Sequence, residues 1–294
     1  MKPNNFYVKD RQMRKKLFIT DFDGTLLKDD KTISDEDIRM LEVLRQKKIY
    51  TVIATGRSVY SFEKALKDMG MVDSLLPIDY VIFSTGAGIV EVPGGRVICQ
   101  KAVPFSDIKK IAHYFDQQKF DYMVHKSIPD TRHFLYKSHG KYNPDFQARL
   151  ALYEEYASPL EDGQPLYDQA TEVLAIIPGG ADMNCLETIR KDLSGFSVIQ
   201  ATSPLDHQSA WIEVFHKDVS KAKTASWLAE KLGVSRKNII SVGNDYNDQD
   251  LLVWSRKGFV VENGPDSLKR MFDIVSSNNL CGVSQAVQET GWID

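Results

Sequence analysis

Short apolar runs alternate with amphipathic stretches along much of this chain. Leu17-Phe18-Ile19 is a brief hydrophobic run that stops in a polar turn. Ser34-Asp35-Glu36-Asp37 then opens a segment in which Ile38, Leu41 and Leu44 recur at helical spacing, with Ser34 and Asp37 as a weak variant of the capping box. Ile49-Tyr50-Thr51-Val52-Ile53-Ala54 reads as a buried strand, Val59 to Met69 as a helix, and Tyr80-Val81-Ile82-Phe83 as a third strand. Strands and helices alternating in this order predict a parallel sheet with crossover helices.

The pattern changes between about Val103 and Thr202. A helix is expected over Ser106–Gln118, a strand at Val173–Ile177, a helix over Asp182–Leu193 and an extended piece at Ser197–Gln200. Lys137–Asn143 and Ala157–Gln164 read as loops or element ends. Aromatic residues such as Tyr114, Phe115, Phe120, Tyr122 and Phe134 are spread through this section, as they would be in a local core. The strand–helix rhythm returns with Trp211–Phe215, a helix over Ser220–Leu232, a strand at Ile239–Val242, a helix at Gln249–Trp254, a strand at Gly258–Val261 and a short helix at Pro265–Phe272. The expected organisation is an N-terminal extension over 1–14, a split core of 15–102 plus 206–294, and an inserted α+β domain over 103–205.

At 294 residues, two domains are a fair expectation, and 43% hydrophobic with 26% charged residues is the composition of an ordinary globular protein. A net charge of −3 argues against a general nucleic-acid binder, and no apolar run approaches the length of a membrane span. Cys99, Cys185 and Cys281 are far apart and form no CxxC pair, which points to a reducing compartment, the cytoplasm, and to no cysteine metal framework. The basic N-terminal residues are not followed by a signal-peptide core, because the apolar run ends at Asp21; Met13, just before the first strand, is an alternative start.

The polar turns at the strand ends hold the chemistry. Asp21 and Asp23 sit two residues apart after the first strand, so both carboxylates can face one small volume, and Gly24 allows a sharp turn behind them. Two such acids suit a hard cation such as Mg²⁺ and also place a nucleophile beside a proton carrier. In a parallel sheet the other strand ends converge on the same edge. They bring Thr55-Gly56, which can hold phosphate oxygens at a helix N-terminus, and the acidic turn Gly243-Asn244-Asp245-Tyr246-Asn247-Asp248. Lys221, at the start of its helix, adds a point charge for a phosphate or a carboxylate. Taken singly, each of these is a common turn, cap or surface residue; the joint pattern at four places is much harder to obtain by chance.

Together they resemble the haloacid dehalogenase-like phosphatases. That superfamily reads DxDGT, a Ser/Thr, a Lys and a GDxxND-type acidic segment, and the chain carries Asp21-Phe22-Asp23-Gly24-Thr25, Ala54-Thr55-Gly56-Arg57, Ser220-Lys221 and Gly243 to Asp248 in that order. The insertion between the second and third motifs is similar to the type IIB cap of the Cof-like sugar-phosphate phosphatases. The resemblance implies an α/β fold, with a Rossmann-like doubly wound parallel sheet and an inserted α+β cap. It also implies an Mg²⁺-dependent phosphatase of small phosphorylated metabolites, with sugar phosphates as the expected class. Asp21 becomes the nucleophile, Asp23 the acid and base, and Lys221 the charge-neutralising partner. Thr55, Gly56, Lys221 and Asn247 become phosphate-binding residues. Asp21, Asp23 (through its backbone carbonyl), Asn244, Asp245 and Asp248 form the candidate metal site, with Asp248 orienting Lys221 or a metal-bound water. Asn244 stands where the family usually carries an acid, so Asp245 is expected to bring the missing charge. A phosphomutase of the same fold and a catalytically silent sugar-phosphate-binding protein are the alternatives. In the insertion, His125, Arg132, His133 and His139 match no zinc signature, and one or two of them are expected to touch substrate.

Overall fold

The computed structural model describes residues 15–71, 76–161, 165–179, 184–203, 205–206 and 208–293, so the expected extension over 1–14, Met13 included, lies outside the described residues. In chain order the elements are β1 (Leu17–Thr20), α1 (Asp35–Gln46), β2 (Tyr50–Ala54), α2 (Val59–Asp68), β3 (Tyr80–Phe83), β4 (Gly88–Glu91), β5 (Arg96–Gln100), β6 (Val103–Pro104), α3 (Phe105–Gln118), β7 (Asp121–Lys126), β8 (Phe134–Lys137) and α4 (Pro144–Leu152). There follow β9 (Ala157–Pro159), β10 (Gln169–Ile177), α5 (Asn184–Asp192), β11 (Ser197–Thr202), β12 (Ala210–Phe215), α6 (Lys221–Leu232), β13 (Ile239–Gly243), α7 (Gln249–Trp254), β14 (Lys257–Val261), α8 (Asp266–Lys269), β15 (Asp273–Val275) and α9 (Gly282–Gln288). The chain divides into two compact units. One is built from the residues up to Gly56, Glu63–Ile98 and everything from Ser220 on; the other is built from Arg57–Phe62 and Cys99–Val219.

The first unit carries an eight-stranded sheet in the order β15-β14-β13-β1-β2-β3-β4-β5, parallel from β15 through β3. From β1 the chain winds outward through β2 and β3 and later returns on the other side through β13, β14 and β15. The C-terminal ends of β1 and β13 therefore flank the switch point, where open α/β sheets place their ligands. All four residues of β1 and all five of β2 and β13 are buried, which is why these strands read as continuous apolar runs. The register pairs Thr20 with both Ile53 and Val242, and Asp21 N–H continues the ladder to Val242 O at 2.9 Å. Asp37, at the third position of α1, is fully buried; its carboxylate accepts from Ser34 Oγ and from both the N–H and the hydroxyl of Ser284, tying α1 to α9.

The second unit is an antiparallel-rich sheet in the order β11-β12-β10-β7-β8-β9, with β6 also pairing β10. Phe115, Tyr122, Val124, Val173, Ala175 and Val214 belong to one buried cluster, and Met123, Phe134, Phe146, Leu174, Ile176 and Trp211 form another. Tyr114, Phe115, Phe120, Tyr122 and Phe134 all belong to these clusters or pack on them. The boundaries differ from the sequence reading. Trp211–Phe215, expected to reopen the core, forms the antiparallel strand β12 between β10 and β11, so the second unit continues to Val219 rather than to residue 205. Its apolar alternation marks it as a strand, but nothing local says which sheet it joins. The β4–β5 pair, α4, β9 and β15 were not anticipated, because each is short and its apolar pattern weak. The helix expected at 265–272 shrinks to Asp266–Lys269, and the last helix, α9, was not expected.

After β3 the backbone enters positive φ at Ser84, Thr85 and Gly86, with φ of +113° at Gly86. A side chain there would place its Cβ 2.5 Å from Ser220 O, and Thr224 Oγ1 donates to Gly86 O at 2.7 Å. This close approach seats the first turn of α6, and with it Lys221, against the end of β3. Gly86→Ala is expected to displace that turn, lowering the thermal midpoint and catalytic activity together; unfolding scans alongside activity assays of the purified variant check this.

Candidate active site

Each candidate residue of the core motifs occupies a strand end or a helix start in the first unit. Asp21 and Asp23 follow β1, Thr55 follows β2, Lys221 begins α6, and residues 244–248 follow β13. Gly24 has φ of +71°, and a Cβ on it would come within 2.6 Å of Asn244 Nδ2, so both conformation and space demand glycine. Asn263 Nδ2 holds the turn by donating to Gly24 O at 2.8 Å, and Asn278 Nδ2 donates to Leu27 O. These two asparagines carry no motif signal of their own and were not singled out from the sequence.

Lys221 is fully buried, and its ammonium donates to Asp21 Oδ1 at 2.6 Å and to Asp248 Oδ1 at 2.5 Å. A cation at a helix N-terminus is disfavoured by the helix dipole, so these carboxylates must hold it there. Burial opposes its charge, but Asp21 and Asp248 outweigh that and raise its pKa. Burial and the Asp248 carboxylate push Asp21 up to about 7, against the pull of Lys221. The cause is arithmetic: one ammonium is shared by Asp21 and Asp248, Asp23 adds a further charge beside Asp21, and the site carries excess negative charge.

The acidic turn divides its labour. Asp248 Oδ2 accepts from the N–H groups of Asn244 and Asp245, so both of its carboxylate oxygens are engaged within the protein. Asp245 caps the one-turn helix Tyr246–Asp248, accepting from Tyr246 N–H at 2.7 Å. Burial raises its pKa. Asn244 instead reaches the centre. One terminal atom of its amide lies 3.2 Å from Asp21 Oδ2, 3.1 Å from the Asp23 carbonyl oxygen and 3.2 Å from Thr25 Oγ1. With nitrogen in that place the amide donates to these oxygens. With oxygen there, the Asp21, Asp23 and Asn244 oxygens would face a common cation. This set of hard oxygen donors, in a site of excess negative charge, fits a small divalent ion. Asp245, expected to bring the missing charge, spends one carboxylate oxygen on the Tyr246 N–H as a cap, whereas the Asn244 amide is the group that reaches Asp21 and the Asp23 carbonyl.

Thr55 is fully buried at the end of β2, and Thr85 N–H donates to Thr55 O at 3.0 Å. The space over the Gly56 Cα is bordered by Thr85 Oγ1 at 3.7 Å and Asn247 Nδ2 at 3.8 Å from where a Cβ would stand, so Gly56, Thr85 and Asn247 gather around one opening. Thr85 was not singled out from the sequence; its signal is the polar Ser84-Thr85-Gly86 stop after β3. Asp250, also missed, accepts from Ala222 N–H in the first turn of α6.

The histidines of the insertion lie in the second unit. His125 is buried with Nδ1 2.8 Å from Thr131 O, and His139 Nε2 lies 3.2 Å from Asp116. Among the described residues no group of three or more His, Cys, Asp or Glu side chains could hold a metal.

The chain belongs to the haloacid dehalogenase-like hydrolases, whose family model matches residues 18–287. Among its relatives is the 5-amino-6-(5-phospho-D-ribitylamino)uracil phosphatase YcsE of Bacillus subtilis, 24% identical, with 95% of this chain and 96% of that protein aligned. BT1666 of Bacteroides thetaiotaomicron, studied among phosphatases of this superfamily, shares the fold with a TM-score of 0.74 at 20% identity over 99% of this chain and 98% of that one. The subclass IIB sugar phosphatase BT4131 does so with a TM-score of 0.72 at 18% identity, over 94% and 99%.

Replacing Lys221 by Met would leave Asp21 and Asp248 facing each other with no buried cation. The expected loss is about 3–5 kcal/mol of stability in metal-free protein. Adding Asp248→Asn to that variant is expected to recover part of it, as measured by urea unfolding.

Proposed function

We propose that the protein is an Mg²⁺-dependent phosphatase of small phosphorylated metabolites, sugar phosphates foremost, working in the cytoplasm through a phosphorylated Asp21. The observation that carries this reading is the convergence of Asp21 Oδ2, the Asp23 carbonyl and the Asn244 amide on one point at the switch of the parallel sheet, with Lys221 on the other oxygen of Asp21.

Asp21 attacks phosphorus and the ester P–O bond breaks; Asp23 gives its proton to the leaving oxygen. Asp23 then takes a proton from the water that attacks the phosphorus of the aspartyl-phosphate, freeing inorganic phosphate and restoring Asp21. Lys221 keeps Asp21 in place and offsets charge that builds on the phosphoryl oxygens. Thr55, Gly56 and Asn247 hold those oxygens at the end of β2, with Thr85 beside them. Asp248 positions Lys221 and the backbone of the acidic turn. Asp21, the Asp23 carbonyl and Asn244 would hold the Mg²⁺ ion, which when bound neutralises phosphate charge. The named activity of YcsE on a phosphorylated ribityl compound, and the sugar-phosphatase description of BT4131, support the substrate class.

Colorimetric phosphate release from a panel of phosphorylated metabolites tests the activity. Asp21→Asn is expected to abolish turnover and Asp23→Asn to slow it by about 10²–10⁴-fold; near-normal rates in Asp21→Asn would overturn the assignment. For the metal, Asn244→Asp is expected to tighten Mg²⁺ by on the order of 1–4 kcal/mol, since it adds a charge within a few ångströms of the ion. The same variant should melt at a lower temperature in chelator, where the new carboxylate faces Asp21 unscreened. Asp245→Asn is expected to change Mg²⁺ affinity little. Titration calorimetry and melting with and without chelator read both effects.

A further inference from the structure

Beyond Asp23 the chain leaves the sheet, turns at Gly24 and forms a narrow loop before α1. Asp23 and Leu27 face each other across an isolated parallel bridge, and Leu27 bridges in turn to Ile33. The N–H groups of Thr25, Leu26 and Leu27 all point at Phe22 O, at 3.3, 3.1 and 2.8 Å. The loop is thus wound on the peptide that carries Asp23, and a rotation of the loop turns that residue with it.

Phe22, Leu26 and Leu27 are buried and anchor the loop, but apolar burial has no direction. Direction comes from asparagines on two other loops of the same unit. Asn263, after β14, donates from Nδ2 to Gly24 O at 2.8 Å, and its Oδ1 accepts from Asn278 N–H at 3.0 Å. Asn278, after β15, donates from Nδ2 to Leu27 O at 3.1 Å and to Asp29 Oδ1 at 3.0 Å. Its neighbour Asn279 donates to Asp29 Oδ2 at 2.8 Å and accepts from Asp29 N–H at 3.1 Å. Asp23 is therefore tied from two sides: through Gly24, which follows it, and through Leu27, which faces it.

These contacts need amides. A carboxylate at 263 or 278 could not donate to a carbonyl, and at 278 it would also face Asp29. Asn278 is 1% exposed, yet among the described residues its Oδ1 meets no donor. An unanswered buried acceptor carries a desolvation cost, which an apolar side chain of the same size would avoid. What such a side chain could not supply is the directed bond to Leu27 O.

We propose that Asn263 and Asn278 are positioning residues for Asp23, aiming its carboxyl at the leaving oxygen of the ester by way of the Gly24 and Leu27 carbonyls. The assignment rests on the phosphatase reading and adds the groups that keep its acid in place. Small displacements of a reacting group have large effects on rate, so bonds remote from the substrate can govern the proton transfer.

The test separates this role from a merely structural one by the leaving group. Single-turnover release of the alcohol reports only the attack by Asp21 and the departure of the leaving oxygen. It is followed for 4-nitrophenyl phosphate, whose phenolate departs unprotonated, and for the most reactive aliphatic ester of the metabolite panel, whose alkoxide needs the acid. Asn263→Ala and Asn278→Ala are each expected to slow the aliphatic ester about tenfold or more beyond any slowing of the nitrophenyl ester, as a partial loss of general-acid catalysis would. Added to Asp23→Asn, the same alanines should change the aliphatic rate little, because the group they act through is gone. Equal slowing of both esters, or slowing that persists in the Asp23→Asn background, overturns the proposal. Asn263 is exposed, so Asn263→Ala is expected to fold and settles the question even if Asn278→Ala does not. Should the aliphatic ester not be hydrolysed by the unaltered chain, the phosphatase reading fails, and amide hydrogen exchange decides the positioning by itself. Faster exchange in Asn263→Ala confined to residues 22–29 upholds it, and unchanged exchange there refutes it.

Discussion

The contact on which the first unit depends is the ammonium of Lys221 buried between Asp21 and Asp248. It joins three segments that are remote in sequence: the end of β1, the start of α6 and the turn after β13. Without that cation the two carboxylates could not share a dry space, and without them the lysine could not sit at a helix N-terminus away from water. Asp248 then spends its second oxygen on the backbone of its own turn, which fixes Asn244 in place beside Asp21. One ion triad thereby sets the position of the proposed nucleophile, its charge partner and the candidate metal donors. The glycines at 24 and 86 exist to let the chain approach it closely.

The first unit gathers carboxylates in excess of its one buried ammonium: Asp21 and Asp248 share Lys221, and Asp23 adds a further charge beside Asp21. That imbalance raises the free energy of the empty site, and a ligand of positive charge relieves it. Affinity for a cation is thus built into the site through groups left incompletely neutralised, rather than through apolar enclosure.

Much of the first unit could be read from the chain. β1, β2, β3 and β13 are buried on both faces and so appear as unbroken apolar runs, and the polar residues that stop them are the candidate site residues. The switch-point rule places Asp21, Thr55, Lys221 and Asn244 at one edge of the sheet. The division of roles within Asn244–Asp248 was not legible, because whether a side chain caps a turn or faces a metal depends on backbone angles that composition does not encode. Thr85 stayed hidden for a related reason: its place beside Gly56 and Asn247 follows from positive φ at Ser84 and Thr85. The sheet membership of β12 was equally obscure, since strand pairing is a long-range choice and its alternation fits either sheet.

The span between Asp21 and Lys221 also has a meaning in time. These residues touch across 200 positions of sequence, and the acidic turn lies later still. At roughly 5–20 residues per second, a ribosome that has made Asp21 needs about 10–40 s more before the lysine leaves the peptidyl-transferase centre. When Lys221 is added β1 still lacks its β13 neighbour, whereas Cys99–Val219 of the second unit has just been synthesised and can pack as a near-continuous stretch. The second unit can therefore be ready first, while the first stays open-edged until the chain is nearly finished, the stage at which help from a chaperone would matter most.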